Sequence, residues 1–283
     1  MRAGLTLVAA LGSLLLLALP GEAWAGACCV GSPSPLPMRA GECEQWVLAL
    51  GVTASHGVGR WDGQGVLAPS SLRQDTLRAS VGAAWRWNRT AQINVALPTY
   101  LNHRGVGEEV GWGGGPGDLR ITGVWDPVLE RPGGPPIPVW TLGARLPTGK
   151  TWRQSDHPLG VDVTGLPPAV LLGASLERTV DRTPWSLGMN LEAGFGKDAR
   201  SAVTASAAVG RYLGFRTTLL GSLSHTRTLG APGARTRAGV RIVEGRPVSW
   251  RAWVGLDADL PVPYLGQDNV QEVSLSVGYA WVR

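Results

Sequence analysis

The chain has 283 residues, a formal net charge of +5 and 44% hydrophobic residues. Its basic residues are spread along the sequence and form no Lys/Arg-rich run, which argues against a nucleic-acid-binding protein. Forty Gly and twenty-one Pro beside two Phe indicate many turns and few ordinary core aromatics, so the thirteen Trp require another explanation.

The first 25 residues have the pattern of a cleaved signal peptide. Arg2 gives a basic start, residues 5–19 are apolar, and Ala23 and Ala25 precede the expected cleavage site. The apolar run is short for a transmembrane helix. Because no later stretch is long enough for one, a membrane location for residues 44–283 requires a closed β-barrel.

Residues 26–43 contain all three cysteines. A disulfide between Cys43 and either Cys28 or Cys29 closes a loop of about 15 residues and contributes about 3 kcal/mol on a chain-entropy basis. Lipidation of Cys28 is the alternative, although Ala25 stands where a lipidation signal usually has Leu. No His accompanies these cysteines, so a metal site is not predicted.

From residue 45 onward, apolar residues alternate with small or polar ones at the period of a β-strand. Gly- and Pro-rich stretches separate the alternating segments, and none of the segments has a sustained helical period. The pattern predicts twelve strands, at residues 45–55, 76–87, 91–101, 118–128, 139–146, 169–177, 185–195, 202–212, 216–226, 236–243, 248–260 and 272–283.

The connections between these segments alternate between short and long. The short ones lie at 88–90, 130–136, 178–184, 213–215 and 244–247, and the others at 57–75, 102–117, 147–168, 196–201, 227–235 and 261–272. Short inner turns, long outer loops and an even number of strands are typical of bacterial outer-membrane barrels. We therefore predict an all-β fold, an antiparallel up-and-down transmembrane β-barrel of about twelve strands.

Eight tryptophans fall toward the strand ends that carry the short connections and both chain termini. Indole rings at one depth are what a membrane interface favours, because the ring is apolar and its N–H donates one hydrogen bond at the headgroup level. Tyr100 is the candidate for the opposite girdle. The alternative, a soluble sandwich, would scatter its Trp along the strands. The predicted interfacial girdle consists of Trp46, Trp85, Trp87, Trp125, Trp140, Trp185, Trp250 and Trp281.

Charged residues repeatedly occupy the phase opposite to the apolar one, as expected if that phase lines a wet lumen. Mutual ion pairs that fill a narrow barrel and a selectivity path are both compatible with this pattern. The predicted lumen-lining residues are Arg78, Arg86, Arg120, Arg145, Glu192, Arg237, Arg241, Arg251, Asp257 and Asp259, with Asp118, Asp126 and Glu177 as further candidates.

No motif predicts an enzyme, a cofactor or a metal. Residues 146–151 read LPTGKT, but a phosphate-binding loop needs Gly at the place of Ala144 and a helix after it. Ser224 and His225 point to opposite faces of a strand and cannot act together as nucleophile and base. Solvent-exposed positions without metal-ligand spacing are expected for the four histidines, His56, His103, His157 and His225.

The last predicted strand carries the signal of a terminal outer-membrane strand. Ser276, Gly278 and Trp281 match its polar, Gly and aromatic positions, whereas Arg283 stands where a second aromatic is usual. We expect recognition by the barrel-assembly machinery through this strand, and contact of the barrel with outer-membrane lipid.

Motifs on neighbouring predicted hairpins carry a family resemblance. Gly117-Asp118-Leu119-Arg120 opens one strand, residues 142–150 (LGARLPTGK) close the next, and residues 176–196 form a hairpin with a Trp after its turn. With these motifs, residues 117–196 resemble the MetA-pathway of phenol degradation family of outer-membrane transporters. The resemblance implies a barrel that passes small, often apolar or aromatic compounds, and it transfers no substrate-binding residue.

The sequence thus predicts a bacterial outer-membrane protein, exported by a cleaved signal peptide, that is a channel or passive transporter for small, apolar or aromatic molecules. Nothing in the sequence indicates a nucleotide site or energy coupling. A structural or binding barrel with a plugged lumen is the main alternative, and an outer-membrane lipid hydrolase is the weaker one.

Overall fold

A computed structural model of the chain describes residues 40, 44–61, 67–68, 72–127, 134–196, 199–214, 216–230, 234–246, 249–260 and 270–283. The predicted signal peptide and the three cysteines lie outside these residues, so the predictions made for them stay open. Within the described part, no helix is long and apolar enough to cross a membrane. The one helical element is a single 3₁₀ turn at Trp152–Gln154.

Fourteen strands form one antiparallel sheet, and twelve of them build a barrel wall in chain order. The other two, β2 and β5, are additions at the outer end, which is the end with the long connections. In chain order the strands are β1 (Trp46–Trp61), β2 (Leu67–Ala68), β3 (Leu72–Asn88), β4 (Ala91–Val106), β5 (Glu109–Pro116), β6 (Leu119–Trp125), β7 (Ile137–Leu146), β8 (Ala169–Val180), β9 (Thr183–Gly194), β10 (Ser201–Tyr212), β11 (Thr217–Leu229), β12 (Ala234–Arg246), β13 (Trp250–Asp259) and β14 (Val270–Val282).

The last strand closes the barrel against the first. β14 pairs with β1 over its whole length, from Val282 opposite Val47 to Val270 opposite Arg60. At the inner end, which carries the short turns and both termini, Trp46 N donates to Arg283 O at 2.7 Å. Neither terminal strand is left with a free edge. The predicted fold class, an antiparallel up-and-down barrel of twelve strands, is confirmed.

All twelve predicted strands correspond in order to the barrel strands, and β1, β3 and β4 extend beyond their predicted outer ends. The prediction that residues 102–117 only connect two strands is wrong, because β4 continues to Val106 and residues 109–116 form β5. This strand pairs with the outer half of β4, while β6 pairs with the inner half. Glycine lacks the side chain that gives a strand its pattern, so β5 left no alternating signal.

Alternation along the strands separates an apolar outer face from an inner wall. On β1, Leu48 and Leu50 are exposed, whereas Val47 and Ala49, which alternate with them, are buried. The same alternation continues around the barrel. Other exposed aliphatic positions on the outer face include Leu77, Val95, Leu142, Leu172, Leu187, Leu223, Val240, Val254 and Leu275.

At the inner end, the inner wall carries a small apolar cluster. Ala40, from the segment before β1, is fully buried in it. Trp253 is 2% exposed, and its ring lies over Gly278 of β14, where no Cβ intervenes. The wall contributes Val47, Ala49, Ala84, Leu220, Val243, Trp253, Ala280 and Val282 to this cluster.

The contact between Trp253 and Gly278 predicts that Gly278→Ala weakens folding. A Cβ at this position would overlap atoms of the indole ring, whereas a Cβ at Gly221 of β11 would have its nearest neighbour at 3.8 Å. Overpacking of this kind costs about 1–3 kcal/mol. We expect Gly278→Ala to lower the folded fraction measured by heat-modifiable gel mobility after refolding in detergent, and Gly221→Ala to match the wild type. Equal folded fractions for the two variants would contradict the packing described here.

Candidate functional site

Halfway along the strands, the inner wall consists mainly of small or polar residues. A barrel of twelve strands is wider than the small barrels whose lumens side chains can fill, so short side chains leave an open space inside it. Ser222 shows this directly, because it is exposed although it lies on the same phase of β11 as the buried Leu220. Other inner-wall residues at this level are Gly51, Thr53, Ser80, Gly82, Asn94, Thr122, Thr141, Gly173, Ser175, Gly188, Asn190, Ser206, Gly239, Gly255 and Ser276.

Arg145 of β7 is the centre of one charged cluster on the inner wall, and it is buried. Its Nε lies 3.6 Å from Asp118 Oδ2, Nη1 pairs with Glu192 of β9, and Nη2 donates to Pro167 O at 2.8 Å. Arg120 of β6 adds a longer contact of 3.8 Å to Glu192. Four of the predicted lumen residues are therefore brought together along the wall from β6 to β9.

A second charged cluster lies at the outer ends of β12, β13 and β14. Asp259 accepts from Arg235 Nη2 at 2.6 Å and from Arg237 Nε at 3.0 Å. Glu272 lies 2.8 Å from Arg235 and 3.3 Å from Arg237. Two cations against two acids offset the cost of taking these groups from water. Arg237 and Asp259 are among the predicted lumen residues, whereas the sequence reasoning missed Arg235 and Glu272.

Two further predicted residues hold the segment before β1 at the inner end. Arg86 of β3 contacts Asp126 at 3.2 Å and donates to Ala40 O at 2.7 Å. Arg251 of β13 pairs with Glu44, and both side chains are buried. The prediction named Arg86 and Arg251 but not Ala40 or Glu44, because no local pattern shows that a preceding segment reaches into the barrel.

The remaining candidates also lie on the inner wall. Arg241 is opposite Gly255, and Asp257 is opposite Gly239. Glu177 of β8 is buried. The ion pairs of Arg86, Arg120, Arg145, Arg235 and Arg237 given above each join strands at most three positions apart in the barrel. These five arginines therefore pair along the wall.

The structure corrects the proposed place of Tyr100. It lies directly opposite Arg78 on the inward phase, next to the exposed Leu101. Its ring contacts the place where a Gly117 side chain would stand, with Cε2 2.5 Å from an ideal Cβ. The prediction that Tyr100 belongs to an outer girdle is wrong, because the phase of β4 turns it inward.

The eight predicted girdle tryptophans lie near the inner ends of their strands. Six are at least 40% exposed, and Trp185 and Trp250 are half-buried. The rings of Trp46 and Trp85 stack at 5.6 Å between their centroids. Strand register places three pairs directly opposite one another: Trp46 with Trp85, Trp125 with Trp140, and Trp250 with Trp281.

Residues 147–168, which connect β7 to β8, fold back against the inner wall, and we call them the folded-in loop. Asn102 and Arg104, on the inner face of β4, hold its far end. Asn102 Nδ2 donates to Val161 O at 2.9 Å, and Arg104 Nη1 donates to Gly160 O at 2.8 Å. Val161 is 1% exposed. The loop therefore occupies part of the outer mouth.

A narrow neck joins the folded-in loop to the barrel. Thr164 N donates to Lys150 O at 3.0 Å, which brings the two arms of the loop together. Below this contact, Asp118 accepts from Gly149 N at 3.2 Å and from Leu166 N at 2.7 Å. One carboxylate of the wall thus fixes both arms.

Charged groups within the loop satisfy one another. Lys150 Nζ lies 3.0 Å from Asp156 and 3.3 Å from Asp162, and its pKa is raised mainly by the hydrogen bond to Asp156. Ser155 Oγ donates to Asp162 at 2.5 Å, and this bond is the main cause that lowers the pKa of Asp162 to about 2. The loop is therefore braced from inside as well as anchored to the wall.

Sequence reasoning placed residues 147–168 in an outer connection but missed their inward course. The sequence does not predict Asn102 and Arg104 as inner-wall residues, because they lie in the predicted connection 102–117 and not on a predicted strand. The sequence signal for this packing is glycine at two alternate positions, Gly111 and Gly113. At these positions the inner side of β5 has no side chains, so the loop can lie against it.

Of the four histidines, His56 is exposed as expected, whereas His103, His157 and His225 are half-buried. His56 and His103 both bond Asp75 through Nδ1, at 2.5 and 2.9 Å, on the outer face near the outer end. His157 lies in the folded-in loop, and His225 is 2.9 Å from the Thr236 hydroxyl. Among the described residues, no group of three or more His, Cys, Asp or Glu is arranged to hold a metal ion.

Comparison with known proteins shows a shared fold. No family model and no curated protein sequence matches this chain. Among solved structures, the COG4313 outer membrane channel from Pseudomonas putida F1 matches with a TM-score of 0.67 at 15% identity, over 85% of this chain and 96% of that one. The chain has the fold of that barrel.

Two other barrels match less closely. The translocator domain of the autotransporter NalP from Neisseria meningitidis has a TM-score of 0.53 at 12% identity, over 84% of this chain and 88% of that one. The NanC porin has a TM-score of 0.53 at 7% identity, over 83% of this chain and 98% of that one. At these identities the likeness is one of fold.

The neck predicts that Asp118→Ala releases the folded-in loop. Without the Asp118 carboxylate, two backbone N–H groups of the loop and the Arg145 guanidinium lose their shared acceptor. The loss costs about 1–3 kcal/mol, so the population of the open loop should rise roughly tenfold. We expect faster trypsin cleavage after Lys150 and Arg153 in the refolded protein, followed by mass spectrometry. Glu108→Ala is the matched control, because Glu108 is an exposed carboxylate in the turn between β4 and β5. Equal cleavage rates in the two variants would count against the anchoring role of Asp118.

Proposed function

We propose that this protein is a passive channel for small molecules in the bacterial outer membrane. The observation that carries the proposal is the inner wall at mid-height, where Gly, Ser, Thr and Asn face a lumen that twelve strands make too wide for them to fill. The ion pairs of Arg145 and Arg237 described above lie along the wall.

The outer face supports a membrane location. Aliphatic side chains such as Leu48, Leu142 and Leu275 cover it, and each is more than 40% exposed. Exposure of this kind is unfavourable in water and favourable against lipid. Trp rings gathered near the inner ends suit the periplasmic interface of the same membrane. We propose that β14, with Trp281, is the strand recognised by the barrel-assembly machinery.

Two observations bear on the solute. The Ser- and Gly-rich wall at mid-height accepts small polar molecules. The resemblance of residues 117–196 to the phenol-degradation transporters supports apolar or aromatic molecules as well. We propose small, uncharged solutes, apolar or aromatic ones included, as the class that passes. The COG4313 neighbour is an outer membrane channel by its name, which supports the channel function.

One observation favours a second candidate, a barrel closed at its inner end. Ala40 is fully buried in the apolar cluster, and Arg86 holds its carbonyl. If the segment before β1 fills the inner mouth permanently, the protein is a structural or binding barrel. Channel activity of the refolded protein separates the two candidates, because a plugged barrel is tight to ions and solutes.

The proposal predicts that bulk added to the inner wall blocks flux while the same bulk on the outer face does not. Gly188 and Met189 are neighbours on β9, the first on the inner wall and the second 60% exposed on the outer face. We expect Gly188→Phe to slow liposome swelling in small uncharged solutes severalfold relative to the wild type. Met189→Phe should leave the rate unchanged, because it exchanges one lipid-facing apolar side chain for another.

Refolding of each variant is checked by heat-modifiable gel mobility before the swelling assay. Folded wild-type protein that neither swells liposomes nor conducts ions would rule out the channel and leave the closed barrel. Equal inhibition by Gly188→Phe and Met189→Phe would show that solutes do not pass along the inner wall.

A further inference from the structure

We propose that the folded-in loop is a fixed shelf that sets the largest solute able to enter the channel. This inference rests on the proposed channel function and deepens it, because it names the residues that set the size limit. It concerns residues 147–168 and the four barrel side chains that hold them, Asn102, Arg104, Asp118 and Arg145.

The anchors run from barrel side chains to backbone groups of the loop. Asn102 donates to the carbonyls of Val161 and Val163, and Arg104 donates to those of Leu159 and Gly160. In the same way, Asp118 and Arg145 bind backbone groups of the arms, with Leu166 N and Pro167 O as partners. Hydrogen bonds to charged partners are stronger than those between neutral groups. Two side chains of the loop add to these anchors, because the hydroxyls of Thr148 and Thr164 donate to Gly117 O and Pro116 O, each at 2.6 Å. The wall side chains therefore fix much of the position of the shelf.

Glycines on the inner face of β5 make room for the shelf. A Cβ at Gly113 would lie 2.7 Å from Val161 Cγ2, and one at Gly111 would lie 2.7 Å from His157 Cε1. Side chains at either position would push the loop away from the wall. The close contact that these glycines allow holds the loop against β5, as glycine does wherever another backbone approaches closely.

The shelf is also stiff. Trp152 covers Gly160, whose φ of +58° suits glycine, and Arg104 lies 5.5 Å from the centroid of the Trp152 ring. Gln154 Oε1 accepts from Thr151 N at 2.9 Å at the start of the 3₁₀ turn. Together with the Lys150, Ser155 and Asp162 contacts, these bonds give the loop one internally braced shape.

Position and charge indicate what the shelf selects. The shelf lies at the outer mouth, above a mid-height wall of Gly, Ser and Thr. Among the described residues, it is therefore the largest element that projects into the barrel. Its cations Lys150 and Arg153 are balanced by the acids Asp156 and Asp162. The restriction it imposes is therefore on size and not on the sign of charge.

The neck allows the shelf to be removed without opening the wall. Because Lys150 O and Thr164 N are 3.0 Å apart, residues 151–163 can be replaced by two glycines while the contacts of Asp118 to Gly149 and Leu166 remain. The second variant is Asn102→Ala with Arg104→Ala. It keeps all residues of the loop and removes the two side chains that hold its far end. Arg73→Ala is the control, since Arg73 is exposed on the outer face of the adjacent strand β3.

Liposome swelling in a series of uncharged sugars, from a pentose to a tetrasaccharide, measures the size limit. We expect the two shelf variants to admit tetrasaccharide severalfold faster than the wild type, with little change for the pentose. Single-channel conductance should rise in both. Arg73→Ala should follow the wild-type series throughout.

The inference fails if the wild type passes the pentose and the excised variant keeps the same size limit. Failure of the channel proposal looks different, because then neither the wild type nor any shelf variant passes even the pentose. If the wild type is tight and the excised variant conducts, the shelf closes the mouth completely, which supports its role. If the excised variant does not refold, the double substitution is used alone to measure the size limit, after its folding has been checked by heat-modifiable gel mobility.

Discussion

Closure of β14 onto β1 is the constraint on which the rest of the structure depends. A sheet that faces lipid on one side must pair every backbone group, and only a closed barrel does so without an edge. The register from Val47 opposite Val282 to Arg60 opposite Val270 also fixes which face each residue occupies. A slip of one residue would turn the aliphatic residues of β14 toward the lumen. Around the rest of the barrel, the same alternation in each strand separates the apolar residues from the small and charged ones.

Small residues inside the barrel have two consequences that belong together. At mid-height they leave the lumen open, and at the outer end the glycines of β5 let the folded-in loop lie flat against the wall. The inner end differs, because Trp253 and its apolar neighbours pack around Ala40. The inner wall thus carries short side chains at mid-height, the folded-in loop at the outer end and Ala40 at the inner end.

The strands could be predicted from the sequence because alternation is a local property. Each barrel strand shows it within ten or so residues, and all twelve were found in order. The site could not be predicted in the same way, because its contacts join distant parts of the chain. Asn102 reaches Val161 across 59 positions, and Ala40 meets Gln92 across 52. The alternation predicts a charged phase, but which of its members pair depends on neighbouring strands that the sequence does not reveal. The assignment of Tyr100 to a girdle considered only its residue type and its place near the strand end, whereas the exposed Ile93, Val95 and Leu101 mark the opposite phase of β4 as the outer one.

The way the folded-in loop is anchored bears on how such a protein can diverge. Much of its attachment to the wall runs through its carbonyl and N–H groups, which every amino acid other than proline supplies in full. Most substitutions at exposed loop positions such as Pro158 and Leu166 would therefore alter the surface that a solute meets without moving the loop. Substitutions at Asn102, Arg104, Asp118 or Arg145 would move it whatever the loop sequence. Variation between relatives of this barrel should accordingly accumulate in the loop and spare those four wall positions, so that solute preference changes while the architecture of the mouth persists.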